Sequence, residues 1–285
     1  MKKFYFNTIT THGMIEQDGI AYGYNDNNII SNMDTHCHDY YEMTYMNAGE
    51  AVQIINDKPY YVSKGSLIIL SPKDCHSHHS LSKINPVNCN FQNTNMLSYI
   101  PDPAVFPIVI DLEPYFQQQI EHLLYLLMNE IDHHKPQHAK AAWNFLDSIF
   151  LLVSRNLNNT QRDLSASLEN VLTYTIDHLQ DVTFTDAVNV CGTSKGNFCR
   201  IFKKNFGKTF REFLVDLRIE QAKKLLLNTT HTIETIYKDC GYNNSRPFFL
   251  DFRKKCGMTP QQFRKLGRSA LEEEKSTRTT FTPNT

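Results

Sequence analysis

Phe184-Thr-Asp-Ala-Val-Asn-Val-Cys-Gly-Thr-Ser-Lys-Gly-Asn-Phe-Cys-Arg-Ile-Phe-Lys-Lys-Asn-Phe-Gly207 reads as two short helices joined by a tight turn. Gly192 falls where the first helix must stop, because glycine accepts the left-handed backbone that a helix end requires. Ser194 suits the N-cap of the next helix. That helix turns Phe198, Ile201 and Phe202 inward and leaves Lys195, Gly196, Asn197, Cys199, Arg200, Lys203 and Lys204 for its other faces. Polar residues in the first turns and lysines in the last suit a major groove, with base edges meeting the start and phosphates meeting the rest.

The arrangement returns further along the chain, in Thr232-Ile-Glu-Thr-Ile-Tyr-Lys-Asp-Cys-Gly-Tyr-Asn-Asn-Ser-Arg-Pro-Phe-Phe-Leu-Asp-Phe-Arg-Lys-Lys-Cys-Gly-Met-Thr-Pro260. Gly241 is the turn and Asn244 the candidate cap, and Pro247 is tolerated because it lies in the first helical turn. Phe248 and Phe252 repeat the spacing of Phe198 and Phe202, and Arg253, Lys254 and Lys255 repeat the basic end. Ser245, Arg246, Phe249 and Leu250 fall on the start and middle of this second helix. Between the two units, Phe213 to Leu227 forms an amphipathic helix able to join them rigidly.

Charge follows the same division. Residues 1–166 carry 10 Lys+Arg against 17 Asp+Glu, and residues 167–268 carry 17 against 10, although the whole chain has a net charge of only −1. An acidic half joined to a basic half suits a sensor attached to a polyanion binder.

Phe202-Lys-Lys-x-x-Gly207, Arg218-Ile-x-x-Ala-x-x-Leu-Leu226, Gly241-Tyr242 and Gly257-Met-Thr-Pro-x-x-Phe-Arg264 resemble the DNA-binding module of the AraC/XylS family. The resemblance runs from about Leu168 to Leu266. It implies seven helices in two helix-turn-helix subdomains that enter successive major grooves on one face of double-stranded DNA. Three residues depart from the family pattern. Val188 and Tyr237 stand where the family has a small alanine ahead of each turn, and Leu250 stands where it often has arginine. Arg200 keeps the corresponding arginine of the first unit. The resemblance therefore assigns DNA contacts to Lys195, Asn197, Cys199, Arg200, Lys203, Lys204, Ser245, Arg246, Phe249, Leu250, Arg253, Lys254 and Lys255, with weaker base reading by the second unit.

The first hundred or so residues are rich in β-branched and aromatic side chains punctuated by turn residues. Glu42–Gly49, Ala51–Ile55 and Ser66–Leu70 read as strands, with Asn56-Asp57-Lys58-Pro59 as a turn. Short strands at such spacing indicate a sandwich or barrel. From Glu113 the period changes: Ile120, Leu123, Leu124, Leu127, Met128 and Ile131, then Ala142, Phe145, Leu146, Ile149, Leu152 and Val153, form two helical stripes. Packing against the strands and a shared dimer interface both account for stripes this wide.

His36-Cys-His-Asp-Tyr-Tyr-Glu42, followed after six residues by Gly49, resembles the first cupin motif, and Gly65 to His76 resembles a loosened second one in which Asp74 replaces the usual glycine. The resemblance implies a β-barrel sensor whose pocket includes His36, His38, Tyr40, Glu42 and His76. In metal-dependent cupins such a set converges on an ion, so His36, His38, Glu42 and His76 are also candidate metal ligands, although pocket lining without metal is the favoured expectation and no cofactor is assigned. Tyr40, Tyr41, Tyr45, Tyr60 and Tyr61 suit stacking against a sugar, although aromatics in a barrel are more often core, and His78 and His79 read as solvated loop residues, with a pH-sensitive sensor as the alternative.

The seven cysteines are odd in number and irregular in spacing, with no C-x-x-C. No disulfide framework or structural zinc is expected from them, which suits a reducing cytoplasm. Cys37 and Cys75, each beside a pocket histidine, read as packing residues, with a thiol sensor as the alternative. No run of apolar residues is long enough for a membrane span.

The expected architecture is α+β and multidomain: a cupin-like barrel over 1–110, helical dimerisation over 111–155, a linker over 156–166, tandem helix-turn-helix units over 167–268 and a disordered tail over 269–285. The expected function is a homodimeric, ligand-responsive transcription activator, not an enzyme, with DNA, RNA polymerase and a small-molecule effector as partners. The rival readings are a metal-dependent cupin enzyme with a DNA-binding appendage and a constitutive DNA binder whose barrel only dimerises.

Overall fold

The computed structural model describes residues 19–24, 33–92, 95–100, 106–133, 135–157 and 164–267. Most of the expected linker, 158–163, and the expected tail, 269–285, lie outside the described residues. The chain divides into two compact units, with the main boundary between Ser165 and Ala166.

The first unit opens with nine strands: β1 (Ile20–Tyr24), β2 (Met33–Cys37), β3 (Tyr41–Ala48), β4 (Glu50–Ile55), β5 (Lys58–Ser63), β6 (Ser66–Leu70), β7 (Cys75–Ser80), β8 (Asn85–Phe91) and β9 (Ile108–Asp111). They form a five-stranded sheet, β1-β8-β3-β6-β9, and a four-stranded sheet, β2-β7-β4-β5. The expected barrel is thus built as two separate sheets, and their ladders do not close on each other among the described residues. Asn56 and Asp57, both at positive φ, form the hairpin turn between β4 and β5, while Lys58 and Pro59, expected in the turn, already belong to β5.

Two helices, α1 (Pro114–His133) and α2 (His138–Asn156), follow the strands. Strand alternation divides β6 between two clusters: Leu67 and Ile69 join the helices, while Ile68 and Leu70 join Met46, Ala51, Ile55 and Val62. Ile120, Leu124 and Leu127 of α1 and Leu146, Ile149, Phe150 and Val153 of α2 are buried in the first cluster. Phe91 meets Phe150 edge-on at 5.5 Å across that layer. Most of both helical stripes is therefore spent on the five-stranded sheet. Asn156, expected in the linker, is instead the buried last residue of α2, where its amide donates to the Leu152 carbonyl.

The second unit holds α3 (Ala166–Asp177), α4 (Phe184–Cys191), α5 (Lys195–Phe206), α6 (Phe210–Asn228), α7 (Ile233–Asp239) and α8 (Ser245–Cys256), and residues 260–267 form a further helix. Among the described residues that makes the seven helices the resemblance implied. Thr183 and Asp186 cap α4 reciprocally, and Thr209 and Glu212 do the same for α6.

Candidate functional site

The turn between α4 and α5 is built as its sequence requires. Gly192 has φ of 67° in open space, so backbone conformation alone selects glycine there. Ser194 caps α5 by accepting from the Asn197 N–H. Phe198 and Phe202 are fully buried, and they pack with Phe206, Phe210 and Phe213 at ring distances of 4.4–5.7 Å. This aromatic core orients the opposite face of α5 outward. Lys195, Cys199, Arg200, Lys203 and Lys204 are exposed on it. Asn197 is half-buried: its amide donates to the Thr193 hydroxyl, and its carbonyl accepts from Arg200 at 2.8 Å.

The second turn carries an extra constraint. Gly241 has φ of 77°, and a Cβ there would lie 2.3 Å from the Gln180 carbonyl oxygen and 2.7 Å from the Arg218 guanidinium. Arg218 donates to the carbonyls of Leu179, Gln180 and Val182 and lies over the Tyr242 ring. One side chain of α6 thereby joins the approach to α4 to the turn of the second helix-turn-helix.

On α8, Phe248 and Phe252 are buried, and Ser245, Arg246, Leu250, Arg253 and Lys254 are exposed, Leu250 at 63%. Two expected DNA contacts are otherwise engaged. Phe249 is half-buried against Phe248 and the surrounding core. Lys255 pairs with Asp216, a carboxylate only 2% exposed that Lys208 also holds at 2.9 Å. Neither Asp216 nor Lys208 carried a signal in the sequence, since their partners are set by folding. The Glu212 carboxyl is held below its ordinary range by the Thr209 N–H and hydroxyl, and further by Lys203 and Lys254.

The first unit carries a polar cluster built from both sheets. Glu42 and Thr44 of β3 and Asn88 of β8 are buried. The Glu42 Oε1 accepts from Thr44 and from Asn88, each at 3.0 Å. Its other oxygen lies 3.5 Å from His38 Nε2. His38 Nδ1 is 2.8 Å from the Tyr40 carbonyl, which can only accept, so Nδ1 donates there and Nε2 is the atom that faces Glu42. His76 is buried, and desolvation pulls it down to about 4 despite the nearby Glu42, so it is neutral at pH 7. The Nε2 atoms of His38 and His76 and the side-chain carbonyls of Gln53, Asn88 and Asn90 are buried without a hydrogen-bond partner in the protein.

These donors fit a divalent transition metal. Ligand atoms of His38, Glu42 and His76 lie within 4.8 Å of one another, and two imidazoles with one carboxylate leave a coordination position open. The Tyr40 carbonyl would orient His38, and Asn88 with Thr44 would orient Glu42, as outer partners do in metal sites. His36 is not in the set: its ring packs against that of His76 at a tilt, the centroids 4.3 Å apart.

Two expectations from the sequence do not hold. Cys37 and Cys75 form a disulfide, because β2 and β7 pair with these residues directly opposite, their Cα atoms 4.4 Å apart. His78 and His79 lie in strand β7, not a loop; His78 is buried, its Nδ1 2.8 Å from the Gln53 amide. Asp74, standing in for the motif glycine, binds Asn56 and Ser71 and so fixes the turn into β7. Tyr40 and Tyr45 are buried, Tyr40 stacked on His38 and Tyr45 bonded to Glu121, whereas Tyr60 and Tyr61 are half-buried.

Among the described residues, no helix is long and apolar enough to cross a membrane. Comparison with known proteins matches residues 19–152 to an AraC-like ligand binding domain and residues 188–266 to a helix-turn-helix domain. The chain is 22% identical over 247 residues to the HTH-type transcriptional activator RhaS of Enterobacter sp. (strain 638), covering 82% of this chain and 88% of the relative. It is 23% identical over 248 residues to the activator RhaR of Shigella dysenteriae serotype 1, covering 81% and 86%. Among solved structures it is similar to an apo ToxT variant from Vibrio cholerae strain SCE256, at 16% identity and a TM-score of 0.36, over 86% of this chain and 97% of that one. Asn244 stands at the N-cap of α8 but makes no side-chain cap hydrogen bond. With both domain matches in this order, and the two helix-turn-helix units in the second, the chain belongs to the AraC/XylS family of DNA-binding transcription regulators.

Proposed function

We propose that this regulator is a ligand-responsive activator that binds DNA as a homodimer. The observation that carries the reading is the tandem pair of outward-facing basic helices, α5 and α8, held by buried phenylalanines and joined through α6. Arg200 is assigned to a base edge, with Lys195, Asn197, Cys199, Ser245, Arg246, Leu250 and Arg253 beside bases or backbone. Lys203, Lys204 and Lys254 are assigned to phosphates. A chain that acts on promoters works in the cytoplasm beside RNA polymerase, its expected partner.

The cluster of His38, Glu42, His76, Gln53, Asn88 and Asn90 is read as the effector pocket. Its unpartnered acceptors favour a small polar ligand that brings hydroxyl donors, because buried polar atoms left unpaired are costly. The activator relatives support a sensing rather than a catalytic pocket. Dimerisation is assigned to the outer faces of α1 and α2, where Leu123, Leu151 and Leu152 line an open groove with Gln118, Gln119 and His122. A second reading, a metal ion as part of the effector site, is favoured by the converging ligand atoms of His38, Glu42 and His76. Gel-shift assays on DNA upstream of its own and neighbouring genes test the function. Retardation that changes on adding effector extracts supports it; no binding to these or to any selected sequence contradicts it, and affinity indifferent to every ligand favours a constitutive binder.

A further inference from the structure

We propose that the Cys37–Cys75 disulfide is a reversible redox clamp on a divalent-metal site made by His38, Glu42 and His76: the oxidised chain holds the ligands together and the dithiol chain releases them. The proposal rests on reading the first unit as a sensor, and adds to that reading a redox control.

Cys37 sits between His36 and His38, and Cys75 precedes His76. Cys75 and His76 are successive residues of β7, so their side chains point to opposite faces: Cys75 is partly exposed and His76 buried; Cys37, directly opposite Cys75, is exposed, while the side chain of His38, just beyond the end of β2, is only 4% exposed. A redox partner in solvent therefore reaches the disulfide without entering the pocket. The thiols, once free, remain on the outer face and do not replace the inner ligands.

The two sides of the clamp are held unequally. Cys75 is fixed by Asn56, whose N–H donates to the Cys75 carbonyl and whose side-chain oxygen accepts from the Cys75 N–H. Among the described residues β2 is an edge strand, joined to the sheet through β7 alone, with an irregular register between Met33 and His36. Breaking the cross-link therefore loosens the end of β2 and leaves His38, which follows it directly, held only from the Tyr40 side, while His76 and Glu42 stay in place. His38 is the ligand whose position depends on the clamp.

The chemistry is thiol–disulfide exchange. A dithiol reductant attacks one sulfur, the Cys37–Cys75 bond breaks, and two electrons and two protons leave Cys37 and Cys75 as thiols while the reductant becomes a disulfide. A disulfide oxidant reverses the step. In a chain that binds chromosomal DNA a solvent-facing disulfide suits a transient, sensing role.

The test uses the full metal-free chain, oxidised with a small-molecule disulfide or reduced with dithiothreitol that is then removed anaerobically. Co(II) alone is the probe, read by its d–d absorption, with thiols counted by alkylation and intact mass and the fold followed by circular dichroism. The chain has seven cysteines, five of them free when the disulfide is closed, so two more thiols are expected after reduction. Oxidised protein is expected to bind one Co(II), and reduced protein to bind it roughly 10–100-fold more weakly, the range that loss of an orienting partner costs. Cys37→Ser with Cys75→Ser should match reduced protein in both conditions, and His76→Ala should remove the absorption band in both. Equal Co(II) affinity in the two redox states, no binding in either, or reduction only with loss of the native fold would overturn the clamp. Each of these results leaves the gel-shift test of DNA binding unaffected.

Discussion

Lys255 at the end of α8 pairs with Asp216 of α6, and Lys208 closes on the same carboxylate from the start of that helix. A lysine that sequence position assigns to DNA therefore also joins the second recognition helix to the linking helix, although its side chain stays 39% exposed. Lys254 next to it and Lys203 and Lys204 on α5 remain exposed.

Neighbouring lysines should consequently behave differently. Lys254→Ala and Lys204→Ala are expected to weaken binding to all DNA similarly and to reduce the slope of log affinity against log salt by about 0.9 each, with little change in stability. Lys255→Ala should leave the slope nearly unchanged and lower the stability of the second unit by roughly 1.5–3 kcal/mol, the range for a hydrogen bond to a charged group. Salt titrations of binding together with urea denaturation of the three variants check this. A full slope change for Lys255→Ala would return it to the phosphate contacts.

The groove left open on α1 and α2 predicts an oligomeric state. Leu123→Glu combined with Leu152→Glu should convert a dimer of the full chain into a monomer at micromolar concentration, because two charges would be buried without partners in the shared face. Sedimentation velocity of wild type and variant checks it. A wild-type monomer, or a variant that stays dimeric, would place the interface elsewhere.

Cysteine reactivity gives an independent footprint. Cys199 is exposed on the outward face of α5, whereas Cys89, Cys191 and Cys240 are buried. Burial also pushes the Cys240 thiol up to about 12 and the Cys256 thiol up to about 11, so thiolate is scarce at both. Alkylation of the native chain at pH 8 should therefore modify Cys199 first, and bound DNA should slow that reaction severalfold or more. Mass spectrometry of digests with and without DNA checks it. Equal rates at Cys199 would mean that this face does not meet DNA.

The helix-turn-helix half was legible because its determinants are local. Gly192, Ser194 and the Phe198/Phe202 spacing act within one or two turns of each other, and each does in the structure what its chemistry requires. The first unit was legible only in outline. Strand β7, Cys-His-Ser-His-His-Ser, contains no apolar alternation, because its inward side chains face a polar pocket and are matched by Gln53 rather than by hydrophobic contact. The Cys37–Cys75 pairing spans 38 residues and depends on a register that no local pattern encodes. The same is true of Lys255 and Asp216, which meet across 39 positions of sequence. Of the histidines singled out by motif, His38 and His76 converge with Glu42, while His36, directly opposite His76 in the ladder, packs its ring against that of His76 at a tilt and is outside the set.

The central claim, that α5 reads bases through Arg200 and α8 reads them less specifically, is tested most directly by selecting binding sites from random DNA with wild type, Arg200→Ala and Leu250→Ala. Arg200 is exposed mid-helix and able to make a bidentate contact to guanine, whereas the exposed Leu250 has no donor. Wild type should enrich one motif. Arg200→Ala should cost about 1–3 kcal/mol on that motif and relax one position, and Leu250→Ala should leave the selected motif nearly unchanged. No enriched motif for wild type, or greater relaxation by Leu250→Ala than by Arg200→Ala, would contradict it.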